Sequence, residues 1–352
     1  MGGKTKRVVA VLGVAVALAV VLTSCGARGG GAQGGGGEDG TFTIKFSHVV
    51  TDETPKGLAA QKFKEVVEKE SDGKIKVQIY PNSQLYGDED EQQALQSGSV
   101  QMIAPAPAKL GTIAPQLQVL DLPFIADSPE EIQELFSRDS KIGQSIYQNE
   151  ELQSRKMKVL GLWDLGFKQF ASKQPIEKPG DTRGMKLRIQ SGSDVLRSET
   201  EMWGGEPTPM SFSEVYNALQ QGVIDGLENT YANFYSQKMH TVTSYMTESN
   251  HGYIGYVLLI NNDFYEGLPE DLQQDVVTAA DEATKYNREV AFEVDAESKQ
   301  KIQEAGTTEF IELSEAERKA FRDPVVPELW DEYADVIGPE LIQELKDRQN
   351  VK

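Results

Sequence analysis

The amino-acid sequence predicts an α/β fold with two lobes, because two separate stretches of the chain alternate strands with helices. Residues 41–104 and 157–260 both contain strand patterns, with apolar residues at every second position, and helical patterns. Strands separated by helices of about 10–15 residues indicate mostly parallel sheets with helical crossovers. The length of 352 residues is sufficient for about two domains. In such lobes a ligand binds beyond the carboxyl ends of the strands or between the lobes.

The first stretch starts with a strand over residues 41–47. A helix follows, which Thr54 and Pro55 begin and Gly73 ends. The remaining predicted elements are a strand over 74–80, a helix over about 88–97 and a short strand over 99–104.

The second stretch contains four clear strand patterns, a short strand in the segment GVIDGLE, and a helix. The four strands cover residues 157–163, 168–172, 185–190 and 251–260, and the helix covers 194–203. Within the third strand, alternation puts Arg188 on the face opposite Leu187 and Ile189.

Two capping boxes predict helix starts. Ser211 with Glu214 predicts one helix, which Gly222 ends, and Ser314 with Glu317 predicts another. Between them, Pro269 fits the first position of a helical pattern that runs to about Ala305. A helix of that length must either kink or extend across both lobes.

The N-terminal segment predicts export and lipid attachment rather than fold. Basic residues precede an uncharged apolar run over residues 8–24, which is typical of a secretory signal, so residues 1–24 are predicted to be a signal peptide. The run ends in Leu-Thr-Ser-Cys, which resembles the lipobox of bacterial lipoproteins and makes Cys25 the predicted lipid attachment site. Residues 25–40 are rich in glycine and are predicted to be a flexible tether. We therefore expect an extracytoplasmic protein that is anchored to the cell membrane.

Composition excludes several classes of function. A formal net charge of −20 argues against nucleic-acid binding, which requires a basic surface. One cysteine and three histidines provide little for a metal site, so we predict neither a metal nor another cofactor. The sequence lacks the common nucleophile, phosphate-loop and zinc-protease motifs, so we predict that the protein is not an enzyme. A lipid-anchored hydrolase stays open as an alternative that would need a nucleophile paired with a base.

Several segments, taken in order, resemble the solute-binding proteins of tripartite ATP-independent periplasmic (TRAP) transporters. The segments are KFSHVVTDETPKGLAA, KIKVQIYPNSQLYGDE, VLDLPFI, GFKQFASKQPI, RGMKLRIQS, PTPMSFSEVYNALQQGVIDGLEN, YSQKMH and NHGYIGYVLLIN, all within residues 41–270. The resemblance implies a periplasmic-binding-protein-like fold in which hinge strands and one long shared helix join two α/β lobes. We expect lobe I to comprise residues 41–165 plus 254–293, and lobe II residues 166–253 plus 294–352.

The resemblance also implies the function. A member of this family captures a small organic anion between its lobes and delivers it to a two-part membrane permease. The segments are most similar to the branch that binds four-carbon dicarboxylates such as malate, succinate and fumarate. The alternatives are an ABC-type binding lipoprotein, or a sensing subunit for a sugar acid or another carboxylate. We expect a monomer.

The motifs of the family indicate three ligand-binding residues, Arg188, Lys168 and Asn229, and two further residues are candidates, Phe212 and His48. Arg188 matches the family's principal carboxylate-binding arginine, whose planar guanidinium can form two parallel hydrogen bonds with one carboxylate. Lys168 occupies the position of a second cation, which is usually arginine in the family. Asn229 matches an amide that can donate to the ligand. Phe212 is a candidate apolar wall or a core residue, and His48 is a candidate third polar contact or a buried structural histidine.

Overall fold

The structure is a computed structural model that describes residues 40–351. The predicted signal peptide, Cys25 and all but the last residue of the predicted tether lie outside the described residues. Within residues 40–351, no helix has both the length and the apolar character needed to cross a membrane.

Strands and helices alternate along most of the described chain. The strands are β1 (Phe42–Ser47), β2 (Ile75–Tyr80), β3 (Met102–Ile103), β4 (Met157–Phe167), β5 (Gln169–Ser172), β6 (Lys186–Ile189), β7 (Glu206–Pro209), β8 (Gly226–Asn229), β9 (Tyr245–Glu248), β10 (Tyr253–Asn261) and β11 (Glu309–Glu312). The helices are α1 (Pro55–Glu70), α2 (Glu91–Gln96), α3 (Pro129–Leu135), α4 (Lys141–Tyr147), α5 (Glu150–Ser154), α6 (Asp194–Met202), α7 (Val215–Gln221), α8 (Tyr231–Ser236), α9 (Asn262–Glu266), α10 (Glu270–Ala305), α11 (Glu315–Arg322), α12 (Glu328–Glu332), α13 (Ala334–Ile337) and α14 (Pro339–Arg348).

The strands form two sheets, each of mixed direction. The first sheet has the order β2-β1-β3-β10-β4, and β10 runs antiparallel to both of its neighbours. The second sheet has the order β11-β9-β5-β8-β6-β7, and β5 runs antiparallel to β8 and β9. The other strands of each sheet run in one direction, as expected, and β10 and β5 are the exceptions. Each of the two follows a strand of the other sheet directly, without the helical crossover that a parallel neighbour requires.

The long helix α10 contacts strands of both sheets. It is 36 residues long, which corresponds to about 54 Å. Thr284 near its middle accepts a hydrogen bond of 3.1 Å from the indole of Trp163 on β4, and Lys299 near its end pairs with Glu248 on β9 at 2.7 Å. The length of the helix predicted either a kink or an extension across both lobes. These contacts show that the helix extends across both sheets. Pro269 is its N-cap rather than its first residue.

Most of the predicted helix ends agree with the structure, and one does not. Thr54 caps α1 by accepting from the Gly57 amide, and Ser314 with Glu317 forms the predicted capping box of α11. The capping box predicted for Ser211 and Glu214 is wrong. Residues 212–214 form a turn of 3-10 helix ahead of α7, and the Ser211 hydroxyl donates to Glu89 instead.

The core consists of apolar side chains on both sides of the two sheets. Phe46, Phe63 and Trp163 pack together between the first sheet and α1. The C-terminal helices also join the core, since the Trp330 indole donates to the carbonyl of Pro123 at 3.1 Å.

Candidate ligand-binding site

A small polar cavity collects side chains from both sheets and from the segments that follow their strands. Its volume is about 30 Å³, which is room for very few atoms. The lining residues are Val49, Val50, Lys56, Asp88, Ala106, Lys109, Arg188, Gln190, Phe212, Asn229, Asn233, Ile254 and Tyr256. Three of the predicted ligand-binding residues, Arg188, Asn229 and Phe212, are among them.

Strand register brings Arg188 and Asn229 to the same face of the second sheet. Arg188 on β6 is paired with Leu227 on the parallel strand β8. Residues two apart on a strand share a face, so Asn229 lies on the same side as Leu227 and Arg188. The alternation of apolar and polar residues in MKLRIQ therefore predicted the direction of Arg188 correctly.

Arg188 is held in place by a backbone carbonyl. It is 2% exposed, and its Nε and Nη2 both donate to the oxygen of Met210, at 3.1 and 2.9 Å. The ring of Phe212 lies 5.8 Å from the guanidinium carbon. Burial lowers the pKa of Arg188, while the charges of Asp88 and Glu228 raise it. Because the ordinary pKa of an arginine lies far above neutral pH, Arg188 remains protonated, and a fixed positive charge faces the cavity.

Two lysines bring further positive charge to the cavity. Lys109 is buried and lies 3.3 Å from Asp88, measured from Nζ to Oδ2. Lys56 is 1% exposed, donates to the carbonyl of Ala104 at 3.0 Å and lies 3.8 Å above the ring of Tyr256. Burial lowers the pKa of Lys56 to about 8, so it is mainly protonated at pH 7.

Asp88 is the acidic side chain that lines this cavity. Its burial raises the pKa of the carboxyl, but Lys109, the Phe212 amide, Arg188 and Lys56 together lower the pKa below its ordinary value. Asp88 is therefore ionised, and it neutralises one of the three cations. The lining side chains keep two net positive charges.

Neutral donors complete the lining. Asn229 Oδ1 accepts from the Nδ2 of Asn233 at 2.9 Å, and Tyr256 lies within 3.5 Å of the same amide nitrogen. Amides and a phenol beside buried cations can orient an anion as well as attract it.

Two predicted ligand-binding residues, Lys168 and His48, do not line this cavity. His48 lies at the end of β1, where its ring packs edge-on against Phe46, and burial lowers its pKa to about 3. Lys168 is 1% exposed, and its Nζ lies 2.8 Å from Oε1 of Glu228. The roles of both residues in ligand binding remain predictions.

Lys168 belongs to a separate group of buried polar residues, which we call the Lys168 cluster: Lys168, Glu228, Ser249 and His251. His251 Nε2 lies 2.9 Å from the second oxygen of Glu228, and Nδ1 lies 2.6 Å from the Ser249 hydroxyl. Burial raises the pKa of Glu228, but Lys168 and His251 outweigh it and hold that pKa at about 2. Burial lowers the pKa of His251. Lys168 and Glu228 thus neutralise each other.

The charge of the cavity went undetected in the sequence because Lys56 and Lys109 have ordinary surroundings there. Lys56 occupies the first turn of a helix, and Lys109 follows an alanine- and proline-rich segment. The available signal for Lys56 was its position inside a segment that carries the family resemblance, whereas Lys109 lies outside those segments. Residues 40–351 contain no group of histidine, cysteine and carboxylate residues that could hold a metal ion.

Comparison with protein families identifies the fold and the class of protein. Residues 46–335 match the model of the bacterial extracellular solute-binding protein family 7. The chain belongs to this family. It is 43% identical over 306 residues to the C4-dicarboxylate-binding periplasmic protein DctP of Rhodobacter capsulatus, covering 87% of this chain and 90% of that one.

Solved structures of TRAP periplasmic solute-binding proteins also match. The protein from Shewanella oneidensis with bound succinate has a TM-score of 0.83 and 37% identity, covering 87% of this chain and 98% of that one. The Pseudomonas aeruginosa protein with bound L-malate has a TM-score of 0.79 and 36% identity, with 83% and 99% covered. A sugar-acid binding protein from Advenella mimigardefordensis, in complex with galactonate, has a TM-score of 0.82 and 28% identity, with 87% and 97% covered.

These matches confirm the predicted bilobal α/β fold and the predicted resemblance to TRAP solute-binding proteins. The relatives named above are periplasmic solute-binding proteins. The charged cavity is accordingly the candidate ligand site.

Proposed function

We propose that the protein captures a four-carbon dicarboxylate, such as succinate, malate or fumarate, and delivers it to a two-part TRAP permease. The observation that carries this proposal is the charge of the cavity. Three buried cations and one ionised carboxylate leave two net positive charges, which match the two negative charges of a dicarboxylate at neutral pH.

Arg188 is the proposed primary anchor. Its contact with Met210 fixes the plane of the guanidinium before a ligand arrives, and Nη1 forms no hydrogen bond within residues 40–351. One carboxylate of the ligand would accept from this edge and from the amide of Asn229. The second carboxylate would lie towards Lys56 and Lys109, so that each end of the ligand has a cation.

The relatives favour this ligand class over sugar acids. Identity to the proteins with bound succinate or L-malate is 36–37%, against 28% to the protein with galactonate. The cavity of about 30 Å³ has to open before either kind of acid can enter, so its size does not distinguish them. We propose that the lobes close on the anion, because the closed form is stabilised by its higher affinity for ligand.

Calorimetry with the purified protein tests the proposal. Succinate, L-malate and fumarate are titrated in parallel with galactonate and with acetate, which carries a single charge. Tighter binding of a four-carbon dicarboxylate than of both controls is expected. Tighter binding of galactonate would assign the protein to sugar acids, and binding of none of these ligands would contradict the proposal.

We further propose that Cys25 carries a lipid and holds a monomer at the outer face of the cell membrane. The lipobox-like sequence and the glycine-rich segment after it support this proposal. Metabolic labelling with a fatty-acid analogue should label the wild-type protein and leave Cys25→Ala unlabelled. Recovery of the unlabelled wild-type protein in the soluble fraction would contradict it.

A further inference from the structure

Glu91 is a buried carboxyl near the cavity whose oxygens have no hydrogen-bond partner. It lies in the first turn of α2 and is 1% exposed, but it does not line the cavity itself. Within the described part of the chain, neither Oε1 nor Oε2 accepts a hydrogen bond. An ionised carboxylate is rarely buried without such donors, because nothing replaces the water that it loses. The geometry thus favours the neutral acid.

Charged groups from several elements face Glu91. They are Lys56 on α1, Asp88 in the segment before α2 and Lys109 in the segment after β3. Burial raises the pKa of Glu91 to about 8, Lys56 and Lys109 act to lower it, and Asp88 acts to raise it. Glu91 in turn acts to raise the pKa of Tyr256 on β10. All four of these neighbours line the cavity, so a charge on Glu91 would change the electrostatic potential there.

We propose that Glu91 is a specificity-determining residue, which stays protonated and thereby keeps two net positive charges at the cavity for a dianion. An ionised Glu91 would leave close to one net positive charge, which suits a monocarboxylate instead. This inference rests on the dicarboxylate function proposed above. It assigns the choice between a dianion and a monoanion to a residue that never touches the ligand.

Glu91→Gln tests the proposal, because it substitutes a neutral amide of nearly the same shape. Two ligands of equal length are compared at pH 7: succinate, a dianion, and succinamate, in which an amide replaces one carboxylate. The ratio of the two association constants, succinate over succinamate, should agree within about threefold between wild type and variant. A ratio at least about tenfold higher in Glu91→Gln would overturn the proposal, since the variant would then have removed a real negative charge.

Infrared spectroscopy gives a second measurement that does not depend on binding. A protonated carboxyl has a carbonyl band that an ionised one lacks. Glu199→Gln is the matched control, because Glu199 is a second buried glutamate whose pKa burial raises well above its usual value. With isotope-labelled glutamate at pH 7, Glu199→Gln should keep the carbonyl band of the protonated Glu91. Glu91→Gln should lack a band at that frequency.

Absence of that band from Glu199→Gln would overturn the proposal, even where Glu91→Gln fails to fold. The two proposals also fail separately. A wild-type protein that binds no dicarboxylate contradicts the proposed function, whereas a protein that binds succinate without a protonated Glu91 contradicts the inference alone.

Discussion

The charged cavity and the Lys168 cluster lie on opposite faces of β8, and both bury cations, yet they differ in charge balance. Asn229 faces the cavity, whereas the preceding residue, Glu228, pairs with Lys168 on the other face. In the cluster one carboxylate neutralises one lysine. In the cavity three cations meet one ionised carboxylate. Burial of a cation alone therefore does not distinguish the candidate site from the cluster, whereas the excess of buried cations over ionised acids does.

The largest effect that we expect comes from breaking the ion pair of the Lys168 cluster. Lys168→Met leaves Glu228 buried without its cation and should lower the free energy of unfolding by about 3–5 kcal/mol. Denaturant titration measures this loss. The double variant Lys168→Met/Glu228→Gln should recover much of it, because no isolated charge remains. If instead the folded Lys168→Met protein loses succinate affinity as severely as an Arg188 variant, Lys168 contacts the ligand after all.

Removal of Arg188 should have the next largest effect, and on affinity rather than on stability. Loss of one partner of a buried charge pair costs about 2–5 kcal/mol, so Arg188→Ala should weaken succinate binding by at least about tenfold. Arg188→Lys keeps the charge but loses the planar fork, and should fall between alanine and wild type. Unchanged affinity of Arg188→Ala in calorimetry would contradict the assignment of the cavity.

Lys56 provides a milder test of the charge excess. Its Nζ donates to a backbone carbonyl, and no acidic side chain of residues 40–351 lies within ion-pair distance of it. Lys56→Met should therefore lower succinate affinity by about tenfold, or about 1.4 kcal/mol, through the loss of one charge. Binding of a monoanion should weaken less. Equal weakening for succinate and succinamate would show that the lysine contributes shape rather than charge.

The smallest effect is a dependence of affinity on pH. Burial lowers the pKa of Lys56 and raises that of Glu91, each to about 8, and loss of either proton makes the cavity less positive. Succinate affinity should accordingly fall severalfold between pH 7 and pH 9. Glu228, with a pKa of about 2, does not change its charge in this range. A constant affinity up to pH 9 would show that neither Lys56 nor Glu91 changes its charge between pH 7 and pH 9.

Sequence reasoning was most successful where a local pattern determines the structure. The strand alternation gave the face of Arg188, and Ser314 with Glu317 gave a helix start, because both depend on neighbours within a few residues. The antiparallel direction of β10 and the buried state of Lys56 depend on residues far away in the chain. The capping box predicted at Ser211 was wrong for the same reason, since the serine hydroxyl donates to Glu89, which lies 122 residues earlier.

The mixed strand order of the two sheets has a consequence for how the chain acquires its fold. The first sheet is completed only when β10 enters between β3 and β4, and the second only when β11 pairs with β9. Most strand pairs therefore join residues that are distant in sequence, and such topologies fold slowly because long loops must close first. A nascent chain that lacks residue 253 cannot complete either sheet. The N-terminal sequence predicts export. Delayed folding of this kind would be compatible with export of the chain before it folds.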